Sequence, residues 1–351
     1  MADYTTIDDS SAQFQVDLYT GTGSSLANTF DGNSAMQPDF VWIKERNGAA
    51  DHALYDSTRG VQKQLESNTT DGETTESTGL TAFGSDGFTV GALAQANTSS
   101  DTYVAWAWKS NGSTTSTCTD GDIDSTVQVN ATAGFSIVTW TAADTTARSI
   151  GHGLGVQPQV VIIRNRTRAE NWRVFHRGAG VTGALILDNT SAYNSSTALF
   201  TADSTSTVFK VGTDFSVNGG YPYVAYCFAN IQGYSKFGKY IGNGAADGPF
   251  VYTGFKPAFV LIKNIDAVQV WIMYDGKRKP VNRDDNVASI YANTNGAEYT
   301  GASYHNLDIL SNGFKIRLTD ASQNGSGNDH IYMAFAENPF VTSTGVPATA
   351  R

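Results

Sequence analysis

Cysteine is nearly absent. Only Cys118 and Cys227 occur in 351 residues, in different parts of the chain, which excludes a disulfide framework and leaves two free thiols as the expectation. Nowhere do apolar residues run for the roughly 18 positions that a membrane-spanning helix needs. The opening stretch from Met1 to Asp9 is polar and acidic and lacks the basic and apolar regions of a secretory leader. A soluble protein folded in a cytoplasm is therefore expected. Basic residues are also scarce: 23 Lys and Arg against 33 Asp and Glu give a formal net charge of -10. Phosphate backbones and anionic lipid surfaces repel such a chain, so nucleic acid and membrane are excluded as partners.

Signatures of catalysis are missing as well. His52, His152, His176, His305 and His330 are scattered, none at the i, i+4 spacing of a zinc-binding helix, and the cysteines form no C-x-x-C. There is no G-x-S-x-G elbow and no phosphate-binding P-loop. Gly151-His152-Gly153-Leu154-Gly155 is glycine-rich but leads into a strand-like segment, which makes it a turn. Glycoside hydrolysis requires two carboxylates about 5 to 9.5 Å apart across one bond, and no acidic pair sits on an apolar strand. Asp320, Asn324, Asn328 and Asp329 gather oxygen ligands in one loop, without the full acidic pattern of a calcium site. The expectation is a non-enzymatic protein with no cofactor and no metal.

What is present is repetition. Pro38-Asp39-Phe40-Val41-Trp42-Ile43-Lys44, Pro158-Gln159-Val160-Val161-Ile162-Ile163-Arg164 and Pro257-Ala258-Phe259-Val260-Leu261-Ile262-Lys263 are three versions of one segment. Twelve positions after each basic residue stand Asp56 (56 minus 44), His176 (176 minus 164) and Asp275 (275 minus 263). Each copy goes on through an Asn (Asn68, Asn189, Asn293), a turn and strand at Asp86-Gly87-Phe88, Thr207-Val208-Phe209 and Asn312-Gly313-Phe314, and a second Asn (Asn97, Asn218, Asn324). All close on an apolar strand, beginning at Tyr103, Tyr223 and Ile331. Fixed-offset similarity of this kind marks a repeated structural unit.

With 35 Gly and many Ser, Thr and Asn, the chain reads as short strands and tight turns, hence all-β. Residues 1–11 form an arm, 12–110 the first repeat, 111–126 a linker, 127–233 the second repeat, 234–341 the third, and 342–351 a tail. In Phe40-Val41-Trp42-Ile43 both phases are apolar, which predicts a strand covered on both faces. No spacer separates the second repeat from the third, so packed units are expected rather than beads on a string. A hairpin is expected to bring Lys44 to Asp56 and Lys263 to Asp275 as buried ion pairs; in the second copy His176 replaces the acid. Among the aromatics, Trp106, Trp140, Trp172 and Trp271 are assigned to packing, whereas Trp42 and Trp108 are the candidates for stacking against a ligand.

Several segments carry a family resemblance: Gly134-Phe135-Ser136-Ile137-Val138, Gly151 to Pro158, Tyr223-Val224-Ala225-Tyr226-Cys227-Phe228, Gly248-Pro249-Phe250-Val251-Tyr252, Ser311-Asn312-Gly313-Phe314-Lys315 and Ala334-Phe335-Ala336-Glu337-Asn338-Pro339-Phe340. They resemble the repeated modules of tailed-bacteriophage virion proteins, found in tail-fibre-like appendages and related to concanavalin A-like lectin and glucanase sandwiches. The resemblance runs from about Phe14 to Phe340. It implies three tandem antiparallel β-sandwich repeats of jelly-roll type in a virion structural protein assembled in the host cytoplasm. Its partners would be other virion proteins and host surface glycan, in a homo-oligomer, a trimer above all. An exposed tail-fibre tip or spike is the leading role. A head decoration or capsid fibre protein and a polysaccharide depolymerase are the alternatives.

Overall fold

Residues 4–282, 288–301 and 306–349 are described by the computed structural model. Almost all regular structure is antiparallel strand; the helices are single turns at Ser10–Ala12, Ala94–Asn97 and Ala321–Asn324. Three larger sheets dominate, and each is built from one of the three similar stretches. In each, the closing apolar strand sits between an opening strand and the Pro-led strand, with matching register. Trp108 faces Phe14 and Phe40, Phe228 faces Phe135 and Val160, and Phe335 faces Ser235 and Phe259.

A smaller sheet covers the outer face of each larger one. It comprises Leu26–Thr29, Gly87–Val90 and Leu80–Gly84 in the first unit, Arg148–Gly151 and Val208–Val211 in the second, and Phe250–Tyr252, Gly313–Ile316 and Leu307–Leu310 in the third. Period-two alternation then sends side chains to opposite faces. Phe40 and Trp42 point one way into a core shared by all three units, while Val41 and Ile43 point the other way into the first unit's own core. The strand is covered on both faces, as its doubly apolar pattern predicts. At the centre, rings from different units meet: Phe40 and Tyr226 with centroids 4.2 Å apart, Trp108 and Phe335 at 5.5 Å, and Phe228 and Phe335 at 5.6 Å. Aromatic pairs of this type contribute roughly 0.5–1.5 kcal/mol each beyond their area burial.

The units join in a closed ring through corresponding hydrogen bonds. Backbone N–H groups of Glu73, Tyr193 and Glu298 donate to the carbonyls of Arg166, Ile265 and Arg46 at 2.6, 2.9 and 2.7 Å. These link first to second, second to third, and third back to first. Side chains repeat the pattern in the opposite sense. Trp172 Nε1 donates to Glu66 O at 2.6 Å, Trp271 Nε1 to Ile186 O at 2.8 Å, and His52 Nε2 meets Tyr291 O at 3.1 Å.

Asp56 and Asp275 lie at these junctions, but not with the lysines. Pairing sets Phe40 opposite Asp56 and Phe259 opposite Asp275. Lys44 and Lys263 stand four residues further along, roughly 13 Å at the rise of a strand. The expected Lys44–Asp56 and Lys263–Asp275 pairs therefore do not form: a spacing of 12 puts the two residues at opposite ends of the hairpin. Lys44 Nζ instead donates to the carbonyls of Glu45 and Gly48, and Lys263 Nζ to those of Thr190 and Gln269. Burial pushes their pKa values down, to about 8 for Lys44 and about 7 for Lys263.

The acids take a cation three residues on. Asp56 pairs with Arg59, which reaches Glu73 at 3.0 Å, and Glu73 pairs with Arg166 of the second unit at 2.8 Å. Asp275 likewise pairs with Arg278, which reaches Glu298 at 3.1 Å, and Glu298 pairs with Arg46 of the first unit at 2.9 Å. Tyr226 Oη donates to Asp56 at 2.8 Å and Trp106 Nε1 to Asp275 at 3.0 Å, both across a junction. At the third junction the four matching positions carry no ion pair, being His176, Ala179, Tyr193 and Ile265. His176 Nε2 lies 3.1 Å from Tyr332 O, and burial lowers its pKa to about 4. Acid and base are thus absent together, which avoids leaving either charge buried alone.

Residues 111–126 are no free spacer. Backbone N–H groups of Gly112 and Ser113 donate to the Asp39 carboxylate at 3.0 and 2.9 Å, and Ser116–Cys118 joins the second unit's sheet. The arm and tail are also docked: Tyr4 Oη donates to Gly254 O at 2.6 Å, and Ser343 N–H donates to Asp8 at 2.7 Å.

Candidate functional site

Trp42 and Trp108, read from the sequence as stacking candidates, are 4% and 3% exposed. Both belong to the shared core, Trp42 donating to His52 Nδ1 at 2.8 Å and Trp108 packed among Phe14, Phe40 and Phe335. Neither offers a face to a ligand. They share strand phase with Phe40 and Trp106, and the surface that phase meets is supplied by the other two units. Trp106, Trp140, Trp172 and Trp271 are buried as expected.

The oxygen-rich loop is occupied by its own backbone. Asp320 caps the turn Ala321–Asn324 through Ser322 N–H, and Asn324 donates to the carbonyls of Ala245 and Leu318, each at 2.8 Å. Asn97 and Asn218 hold the equivalent loops, donating to the carbonyls of Gly91 and Gly212. Among the described residues no three His, Cys, Asp or Glu gather as metal ligands. His305, Met1 to Asp3, Ala350 and Arg351 lie outside the described residues.

Sequence reasoning missed a different surface. On the outer sheet of the third unit, Phe250 pairs with Lys315 and Tyr252 with Gly313. Two positions apart on one strand, both rings face outward, 47% and 54% exposed, while Val251 between them is buried. Corresponding positions in the first unit are Ala27 and Thr29, which pair with Thr89 and Gly87; in the second they are Ser149 and Gly151, which pair with Lys210 and Val208. The fold thus accepts small or polar residues here, so packing does not account for the rings. The signal was legible in Phe250-Val251-Tyr252 once aligned against Ala27-Asn28-Thr29 through the shared turn.

The rings are held in place. A Cβ at Gly313 would meet the Val251 carbonyl oxygen at 2.1 Å, as one at Gly87 would meet that of Asn28 at 2.0 Å, so the backbone requires glycine here, and the Phe250 ring lies beside it. Gly254, at φ +85, carries the chain past the hydroxyls of Tyr4 and Tyr252. Burial, reinforced by Tyr252, raises the Tyr4 hydroxyl pKa well above its ordinary value. Phe340 meets the Tyr4 ring edge-on at 6.4 Å. Lys315 adds a charged border, paired with Asp247 at 2.8 Å. The result is a preorganised aromatic platform edged by hydrogen-bonding groups, the chemistry that receives an apolar ring face bearing hydroxyls.

Nearby, a cleft of about 430 Å³ opens between the first and third units. Phe14, Val16, Ala258 and Ala336 line it, with Asn33 and Asn338 among the polar residues. Asp31 and Lys277, which also line it, form an ion pair between the two units. Beside them, burial raises the Asp17 carboxyl to about 6.

Fold and surfaces together define an all-β protein of stacked antiparallel sheets, with Phe250 and Tyr252 exposed side by side on one outer sheet. The chain belongs to the family described as Domain of unknown function (DUF7483), which matches residues 9–339. No curated protein matches it.

Proposed function

We propose that this protein is a virion structural component, an exposed appendage such as a tail-fibre tip or spike, that contacts host surface glycan without catalysis. The observation that carries the reading is the Phe250–Tyr252 platform, present in one unit where the two equivalent sites bear Ala27 and Thr29, or Ser149 and Gly151. An aromatic pair kept exposed on a rigid sheet is costly to solubility unless something covers it. The sequence resemblance to phage appendage modules supports the same setting, with other virion proteins as further partners and a trimer as the assembly. Docking of the arm onto Gly254 through Tyr4, and of the tail onto the arm through Ser343 and Asp8, argues for this role over a shell-bound decoration protein held by these segments.

Gold-labelled antibody on intact virions, paired with binding of the purified chain to susceptible and resistant host cells, tests the proposal. Distal tail label and binding to susceptible cells alone are expected, with binding lost in Phe250→Ala/Tyr252→Ala. Label over the head with no cell binding would replace the reading with the decoration role. A second reading, polysaccharide hydrolysis, draws on Asp17, whose carboxyl burial raises to about 6 beside the cleft residues Asp31 and Lys277, since a carboxylic acid of raised pKa can protonate a glycosidic oxygen. Release of reducing ends from host polysaccharide, abolished by Asp17→Asn, would establish it.

A further inference from the structure

We propose that the cleft between the first and third units is a binding subsite for a neutral, polyhydroxylated ring, continuous with the aromatic platform. This inference rests on the glycan-contact reading and extends it to a second place on the surface.

The cleft's chemistry selects the ligand. Its volume of about 430 Å³ lies in the range of small-molecule pockets, which combine apolar walls with a few polar groups. Phe14, Val16, Ala258 and Ala336 provide the walls, and Gly32 and Gly276 bring backbone to the cleft without side chains. Asn33 and Asn338 are exposed, and among the described residues neither side-chain amide has a hydrogen-bond partner. Each amide presents both a donor and an acceptor, the pairing that neighbouring hydroxyls require.

Charge narrows the choice. Among the described residues, three carboxylates, Asp9, Asp31 and Glu337, line the cleft together with one ammonium, Lys277. All three are engaged: Asp9 accepts from Ser11 and Ser34, Asp31 pairs with Lys277, and Glu337 pairs with Lys256 at 2.9 Å. A uronic acid, sialic acid or phosphate would find the cations Lys277 and Lys256 already paired to carboxylates here. A neutral ring, with an apolar face for the wall and hydroxyls for the amides, needs no cation.

Position supplies the link to the platform. Asn338 lies two residues before Phe340, whose ring meets Tyr4, and Tyr4 is joined at its hydroxyl to Gly254 beside Tyr252. The same arm contributes Asp9 and Ser11 to the cleft. In the proposed arrangement an oligosaccharide on Phe250 and Tyr252 runs past Tyr4 and Phe340 to the cleft.

The test titrates the full chain calorimetrically with neutral β-linked galactose and glucose oligosaccharides of one to six rings, and with a six-ring galacturonate as the acidic control. Neutral oligosaccharides are expected to bind more tightly as they lengthen, and more tightly than the acidic one. Asn33→Ala/Asn338→Ala, at exposed positions that leave the core intact, should weaken the six-ring ligand about tenfold, the loss of one or two hydrogen bonds, and leave the two-ring ligand unchanged. Phe250→Ala/Tyr252→Ala should weaken both. Unchanged six-ring affinity in the Asn variant, with loss in the aromatic variant, overturns the cleft and leaves the platform standing. Full binding by the aromatic variant overturns the platform. Tighter binding of the galacturonate refutes the charge argument, and no binding by any ligand overturns both sites.

Discussion

Replacing Asp56 with His and Arg59 with Ala gives this junction the neutral pair that the chain already uses at His176 and Ala179, with the Glu73–Arg166 pair left in place. The single change Asp56→His leaves Arg59, whose side chain is fully buried, without the carboxylate at its Nε. Breaking a buried pair from one side costs about 3–5 kcal/mol. Arg59 keeps Glu73 at 3.0 Å and the carbonyls of Lys63 and Leu54 at 2.9 and 3.2 Å, so a loss near 3 kcal/mol is expected. Arg59→Ala alone strands Asp56, which retains the Tyr226 hydroxyl and the Arg59 backbone N–H as donors, at a similar cost. In the double variant neither charge is orphaned, and Glu73 still holds Arg166 through two hydrogen bonds at 2.9 and 2.8 Å. Replacement of a buried pair by neutral groups is often close to energetically neutral, so the double variant should lie within about 1–2 kcal/mol of the parent. Urea denaturation of the four chains closes a double-mutant cycle, with a coupling energy of several kcal/mol expected. Single variants that each lose under about 1 kcal/mol, or losses that simply add, would refute the account.

Trp108→Ala removes a ring packed against residues of all three units, and a loss of about 3–5 kcal/mol is expected, read as one earlier cooperative transition in urea; separate transitions would contradict a shared core. Burial lowers the His52 and His176 pKa values to about 3 and about 4. Their neutral forms therefore stabilise the fold fully above the ordinary histidine value near 6.5, and the contribution is lost as pH falls toward 4. Glu73 is held below the usual glutamate range, its burial outweighed by hydrogen bonding and charge from Arg166 and Arg59. Its contribution is present above about 4.5 and lost below, so stability measured against pH should fall in two stages, and Glu73→Gln should flatten the lower one. Asp17 has the opposite sign: raised from 3.8 to about 6, it favours the fold below 3.8 and loses that advantage as pH rises through 6. Asp17→Asn should stabilise the protein by up to about 3 kcal/mol at pH 7 to 8 and have little effect below pH 4; equal effects at both would sink the assignment.

Much of the fold was legible because strand phase is local. The doubly apolar Phe40-Val41-Trp42-Ile43 announced a strand with two buried faces, and the second Asn of each copy marked a loop held by its amide. The first Asn was legible only in part: Asn68 and Asn293 accept the N–H groups of His52 and Trp271, but in the second unit Asp188 rather than Asn189 accepts that of Trp172. Registers misled where a spacing was read without its turn. The interval from Lys44 to Asp56 recurs in all three copies, yet it measures the length of the hairpin and not a contact across it.

The amino-acid sequence alone determined the all-β class and the similarity of three stretches, because alternation, turn residues and fixed offsets are properties of neighbours along the chain. Only the tertiary structure decided what each alternating face meets. Trp42 and Trp108 had the look of ligand platforms until two other units covered them, and Phe250 and Tyr252 were not singled out until their strand proved to be the outer edge of its sheet. A side chain's phase is fixed by its own strand. Whether that phase faces protein or water depends on residues a hundred or more positions away.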